Sequence, residues 1–230
     1  MKLFPYKKNI DVGVYIMDND LIPKFMHKDI IKVNENKFGC PAVGSLNNRI
    51  YELNSMFDIE IEFGIKNNEP YFNYKFPTDV YKDIMEIHKI LNYIITTTKS
   101  DNNTLTLQII SNWVFVTDNK DLEIITMPSM SNLETENCRY VSGTYYPYAW
   151  LRNLNASWLL LDNNKPGRIK LSMEKPMMTF LFNKPVNLKE IKPTKEIQEY
   201  QKYMYEIVTY RNKINKIFPH ILSKRPKKLL

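Results

Sequence analysis

Phe57-Asp58-Ile59-Glu60-Ile61-Glu62-Phe63-Gly64-Ile65 is the stretch that decides the fold. Apolar side chains fall at every second position and three carboxylates fall between them. That period of two is the signature of a strand with one buried and one wet face. Arg49 to Leu53 just before it, and Tyr71 to Phe76 after the turn-forming Lys66-Asn67-Asn68-Glu69-Pro70, have the composition of partner strands. A three-stranded meander is predicted.

The same chemistry recurs outward from this point. Leu105, Leu107 and Ile109 lead into Trp113-Val114-Phe115-Val116; the turn Asp118-Asn119-Lys120-Asp121 then precedes Leu122 to Ile125, predicting a hairpin. Ser157 to Leu161, the turn residues Asp162 to Gly167, and Arg168 to Met173 predict another. Met177 to Phe182 and Val186 to Ile191 follow Pro176 and Pro185, which suit strand entries. Two segments carry helical spacing instead. Val80, Ile84, Ile87, Leu91 and Ile94 predict a helix between Thr78 and Thr98, although Ile94-Ile95-Thr96-Thr97-Thr98 is β-branched and suits a strand. Ile197, Tyr200, Met204, Ile207, Arg211, Ile214 and Phe218 predict a long amphipathic helix from Thr194, stopped at Pro219.

The resulting fold class is α+β and mainly β. It is an antiparallel sandwich or a partly open, jelly-roll-like barrel, with one mid-chain helix and a long C-terminal amphipathic helix. The expected organisation is a β-rich body over residues 1–192, with residues 193–230 forming a basic helix and tail packed on that body. No apolar run approaches the roughly 20 residues of a membrane span. The first residues lack a secretory signal. An unexported, cytoplasmic chain with reduced cysteines is therefore expected.

Charge is segregated. Of a formal net charge of +7, +6 lies from Pro193 onward, where nine Lys or Arg face three glutamates. The excess of Lys, Asn and Ile is what AT-rich codons produce, so part of this basicity is ordinary solvated surface. Lys224, Arg225, Lys227 and Lys228 nonetheless cluster tightly enough to hold a polyanion or an acidic protein surface by charge.

Residues able to carry chemistry are few. Three histidines occur, and His27-Lys28-Asp29 has the spacing of the iron-binding pair in 2-oxoglutarate oxygenases, with His88 or His220 as a third ligand. Asp58, Glu60 and Glu62 are better explained as a solvated strand face than as a paired-carboxylate or cation site. Cys40 and Cys138 have no Cys-x-x-Cys partner and are expected as buried thiols. Six glycines furnish no phosphate loop and no nucleophile elbow, which excludes the common nucleotide enzymes. Aromatic side chains, by contrast, crowd at Tyr140, Tyr145, Tyr146, Tyr148 and Trp150, with Trp158 soon after. Such rings pack sheets, but they also form recognition surfaces and stack on unpaired bases.

Gly39-Cys40-Pro41-Ala42, Met127-Pro128-Ser129-Met130-Ser131-Asn132 and Met173-Glu174-Lys175-Pro176-Met177-Met178-Thr179-Phe180-Leu181-Phe182 occur in that order. Together they resemble an uncharacterised family of tailed bacteriophages and some bacteria, over roughly residues 30 to 190. The resemblance implies a viral or virus-related cytosolic origin and transfers no activity and no functional residue.

The leading expectation is a non-catalytic binding or assembly protein, phage-encoded and without cofactor, acting in the host cell or the virion. Its partner would be a protein or virion component, met through Tyr140, Tyr145, Tyr146, Tyr148, Trp150 and Trp158 and through Lys224, Arg225, Lys227 and Lys228. Two alternatives stand beside it: a jelly-roll iron oxygenase using His27, Asp29 and His88, and a weak binder of single-stranded nucleic acid through the C-terminal tail. None of these readings involves a membrane.

Overall fold

A computed structural model of the chain describes residues 9–17, 30–32, 48–76, 84–100, 102–130, 133–208 and 223–230. These residues are mainly β, arranged in several sheets with no closed barrel among them. The largest sheet runs β10 (Cys138–Tyr140), β12 (Asn153–Leu160), β7 (Leu105–Val116), β1 (Ile10–Ile16), β15 (Val186–Glu190), with β6 (Ile95–Lys99) also on β7. A second runs β11 (Gly143–Tyr145), β8 (Ile124–Pro128), β14 (Pro176–Phe182), β3 (Ile50–Asn54), β2 (Ile30–Lys32). The third is β5 (Glu69–Lys75), β4 (Ile59–Lys66), β13 (Gly167–Leu171), β9 (Glu134–Glu136). Pairing is antiparallel except between β1 and β15, which run parallel.

The decisive stretch is strand β4, with Ile59, Ile61 and Phe63 buried and Glu60 exposed. Its hairpin with β5 is closed by Asn67 and Asn68, both at positive φ (52° and 66°), between the paired Lys66 and Glu69. Two left-handed residues in a two-residue loop match the right-handed twist of the flanking strands. Among the described residues every non-glycine at positive φ is an asparagine, from Asn48 to Asn137. In a chain with six glycines, asparagine takes over the left-handed positions, because its short polar side chain tolerates them best. Glycine is required at Gly167 for a different reason. A Cβ there would stand 2.8 Å from Cε1 of Phe63, the residue opposite it on β4.

Other expected pairings are corrected. β3 does not join β4 in a meander; it pairs with β14 and β2 in the second sheet. Ser55 turns the chain between them, its hydroxyl donating to the Phe57 carbonyl and its amide donating to Lys175. β7 and β8 form no hairpin, and neither do β12 and β13, because in each case the two strands belong to different sheets. Successive strands thus repeatedly switch sheets, and their inner faces share one core. That core includes Trp113 and Phe115 of β7, Trp158 of β12, Phe180 and Phe182 of β14, and Ile61 and Phe63 of β4.

The mid-chain segment divides into helix α1 (Ile84–Ile94) and strand β6, so the β-branched run Ile95 to Thr98 is extended. The start of the predicted helix, from Thr78 through Val80, lies outside the described residues. At the C-terminal end, helix α2 spans Lys195–Val208, with Thr194 accepting the Ile197 amide as its cap. The expected continuation through Arg211 to Phe218 lies outside the described residues, so a long C-terminal helix is not part of the described fold.

Helix α2 lies on the outer face of the largest sheet. While Trp113 and Phe115 face the main core, Val114 and Val116 point to the other side, where Tyr15, Leu151, Ile197, Tyr200, Met204 and Leu229 form a second cluster. Burying Ile197 and Met204 contributes about 1.5–3 kcal/mol each before conformational entropy is subtracted. No helix among the described residues is long and apolar enough to cross a membrane.

Candidate binding surface

The aromatic segment is largely spent on the fold. Trp158 is 1% exposed, and Tyr140, opposite it in the β10–β12 ladder, meets its ring edge to face at 5.6 Å. The Tyr140 hydroxyl reaches Met178 Sδ, and burial pushes its pKa well up. Tyr145 accepts the Asn155 amide and is likewise raised by burial. These two phenols stay neutral and stay packed. As a continuous ring surface for a ligand, the segment is corrected: Trp158 offers no accessible face, and Tyr140 and Tyr145 pack against the main core.

Tyr146 opens a turn in which its carbonyl accepts the Ala149 and Trp150 amides. Its side chain, 47% exposed, is the most open ring of the segment. Tyr148 and Trp150 are half-buried. Trp150 packs on the second cluster with the Arg152 guanidinium 5.7 Å from its ring. Tyr148 belongs to a different construction, the seat of the tail.

That seat holds Arg225. Its side chain is 3% exposed and lies 3.8 Å over the Tyr148 ring. Nε donates to the Tyr148 carbonyl at 2.7 Å, one terminal nitrogen donates to the Thr117 carbonyl at 2.8 Å and to Asp118 Oδ1 at 3.0 Å, and the other donates to Pro226 at 2.7 Å. A guanidinium can fan hydrogen bonds to several acceptors in one plane where an ammonium cannot. Asp118 also accepts the amides of Leu229 and Leu230 at 2.9 and 3.0 Å. Burial alone would raise the Asp118 carboxyl, but these two amides and Arg225 outweigh it and hold its pKa below the usual range. Arg225 is therefore corrected from a partner-binding cation to an internal anchor. The sequence reading missed Thr117 and Asp118. Asp118 had the signature of a turn residue, and nothing in the local pattern linked it to a residue more than a hundred positions away.

Around this anchor burial alternates. Leu229 is buried, whereas Lys224, Lys227 and Lys228 are exposed and make no ion pair among the described residues. The two bonded carboxylate oxygens and the Arg225 fork fix the backbone that carries them. The three lysines are presented on a folded segment.

One carboxylate of the decisive strand, Glu62, is ion-paired. Arg168 on β13 bridges Glu62 and Glu136, at 3.1 and 3.2 Å, and Lys170 reaches Glu134 at 3.1 Å. Acidic, basic and acidic columns thus alternate across β4, β13 and β9. Exposed pairs of this kind are screened by water and contribute little to stability. Asp58 instead accepts the Met173 amide.

Of the proposed iron ligands, His27 and Asp29 lie outside the described residues, as do His220 and Cys40. His88 is exposed on α1, and its Nδ1 meets the Tyr74 hydroxyl with the rings 5.2 Å apart. Among the described residues no group of three or more His, Cys, Asp or Glu is placed to hold a metal ion. Cys138 is buried, and burial lifts its thiol to about 11, which leaves it protonated at neutral pH. Comparison of the chain with protein-family models, with curated proteins and with solved structures finds no match.

Proposed function

We propose that this chain is a non-catalytic, β-rich binding or assembly protein that docks an acidic protein surface on Lys224, Lys227 and Lys228. The reading rests on one observation: these lysines stay exposed while Arg225 and Leu229, their neighbours in the same segment, are locked into the body. Fixing the backbone before the partner arrives lowers the entropy lost on binding. Tyr146 is the ring left open to join such an interface. The finer architecture belongs to the same proposal: a jelly-roll-like sandwich, with α2 continuing as a long basic helix over a body ending near residue 192. So does a phage origin, with a virion component or host protein as partner, as the sequence resemblance implies.

An acidic protein is favoured over single-stranded nucleic acid because stacking needs accessible rings, and Trp158 and Tyr140 are occupied in the core. The test compares the parent with the triple variant Lys224→Glu, Lys227→Glu, Lys228→Glu in binding to polyglutamate and to an oligothymidylate of equal charge, at two salt concentrations. The proposal expects salt-sensitive polyglutamate binding that the triple variant abolishes. Equal binding by the variant eliminates the lysine strip. Tighter oligothymidylate binding accompanied by tryptophan quenching replaces this reading with the nucleic-acid one.

A further inference from the structure

The outward face of the third sheet carries a charge pattern of its own. Pairing across β5, β4, β13 and β9 runs without a bulge, so the outward side chains stand in straight rows. One row is Lys75, Glu60, Lys170, Glu134, and the next is Asn73, Glu62, Arg168, Glu136. Taken strand by strand, the columns are basic or neutral, acidic, basic and acidic. Glu62 is half-buried and the other seven side chains are exposed. Arg168 is tied to Glu62 and Glu136, and Lys170 to Glu134. Glu60 and Lys75 stand opposite each other in register, yet neither forms an ion pair among the described residues. One charge of each sign is thus left uncompensated on an open sheet face.

We infer that this face is a weak interface between two copies of the chain, stacked sheet on sheet about a two-fold axis that runs along the strands between β4 and β13. Such a rotation keeps each row over itself and reverses the order of the columns, so β5 meets β9 of the second copy and β4 meets its β13. Across the axis Lys75 then faces Glu134, Glu60 faces Lys170, Glu62 faces Arg168, and Asn73 faces Glu136. No like charges meet. A two-fold along the rows would instead lay each column on its own counterpart and set acidic β4 against acidic β4. The charge order therefore selects both the partner and its orientation, and it brings the uncompensated Glu60 and Lys75 each to an opposite charge. Eight side chains a side fall well short of the roughly 20–30 residues of a standard interface, so the dimer is a transient one.

The face shares no residue with the lysine strip, so either reading can fail without the other. The test is sedimentation equilibrium of the whole protein at about 0.1 M salt, where a Debye length of about 10 Å screens most of the net charge of +7 but not contacts across the face. The parent should dimerise with a Kd of about 0.1–1 mM, weakened several-fold at about 0.5 M salt. Glu60→Lys sets like charges against each other at two places across the axis, and so does Lys170→Glu. Each alone should lower the association constant by at least about tenfold. Both positions are exposed, so neither substitution enters the core. An equimolar mixture of the two variants should recover most of the loss, because the reversed charges then face each other and the unaltered pair is kept; misfolding would not be rescued in this way. The proposal is overturned by a parent that stays monomeric up to about 1 mM, by single variants that associate like the parent, or by a mixture no better than its components.

Discussion

Replacing Arg225 with alanine tests how the tail is held. The substitution removes a guanidinium that is 3% exposed and bonded to the carbonyls of Thr117 and Tyr148 and to Asp118, and it removes the stacking contact with Tyr148. Each buried carbonyl left unpaired costs about 1 kcal/mol, and the charged contact to Asp118 adds about 1–2 after discounting for its partial exposure. The expected loss is about 3 kcal/mol. It is capped by the free energy of docking residues 223–230, because the tail can detach locally once its anchor is gone. For a chain of this length that corresponds to a fall in Tm of roughly 6–12 °C. Urea denaturation should show a lower midpoint, and amide exchange at Leu229 and Leu230 should accelerate because their acceptor Asp118 no longer has its partner. Arg225→Lys should fall between the two, since it keeps the charge and loses the fork. A midpoint for the alanine variant within about 0.5 kcal/mol of the parent, with unchanged exchange at the tail, would refute the anchor.

Four further outcomes follow from the same contacts. Asp118 is held below its ordinary pKa when folded, so its contribution is complete above about pH 4, the unfolded value, and is lost as pH falls through the folded one; the stability gap between parent and Asp118→Asn should therefore narrow progressively as pH falls below about 4 in thermal melts. Asn68→Gly should be neutral or stabilising and Asn68→Val should lose about 1–2 kcal/mol in urea unfolding, since the site requires a left-handed backbone. Gly167→Ala should cost about 1–3 kcal/mol by the same measurement, because the new methyl meets the buried Phe63 ring. Cys138 should resist a thiol reagent at pH 8 until denaturant is added, as followed by peptide mass spectrometry; rapid labelling of the native protein would contradict its burial and its thiol pKa of about 11.

What was legible in the sequence was local. Alternation at Ile59, Ile61 and Phe63 and helical spacing at Ile197, Tyr200 and Met204 are dictated by which side of an element is wet, and both are found. Asn67-Asn68 announced its own hairpin because a two-residue loop fixes the register of the strands on either side. Pairing between distant strands carries no such mark. The same alternating pattern serves whether β7 meets β8 or β12, and only assembly of the common core decides it. Aromatic density at Tyr140 to Trp158 was equally ambiguous, since a ring packed on a sheet and a ring offered to a partner have the same letter. Arg225 was misread for a related reason: in a run of cations, only the position of Tyr148, Thr117 and Asp118 in space distinguishes the one that turns inward.

Presentation of the lysines on a folded segment is tested most directly by polyglutamate binding to Arg225→Gln, at one salt concentration and beside the parent. This variant keeps Lys224, Lys227 and Lys228 and loses a cation that is buried in the parent. The account predicts affinity weaker by about three- to tenfold, because the partner must then order the strip itself. Unchanged affinity, with the tail amides of the variant exchanging freely, would contradict it and reduce the segment to a loose basic tail.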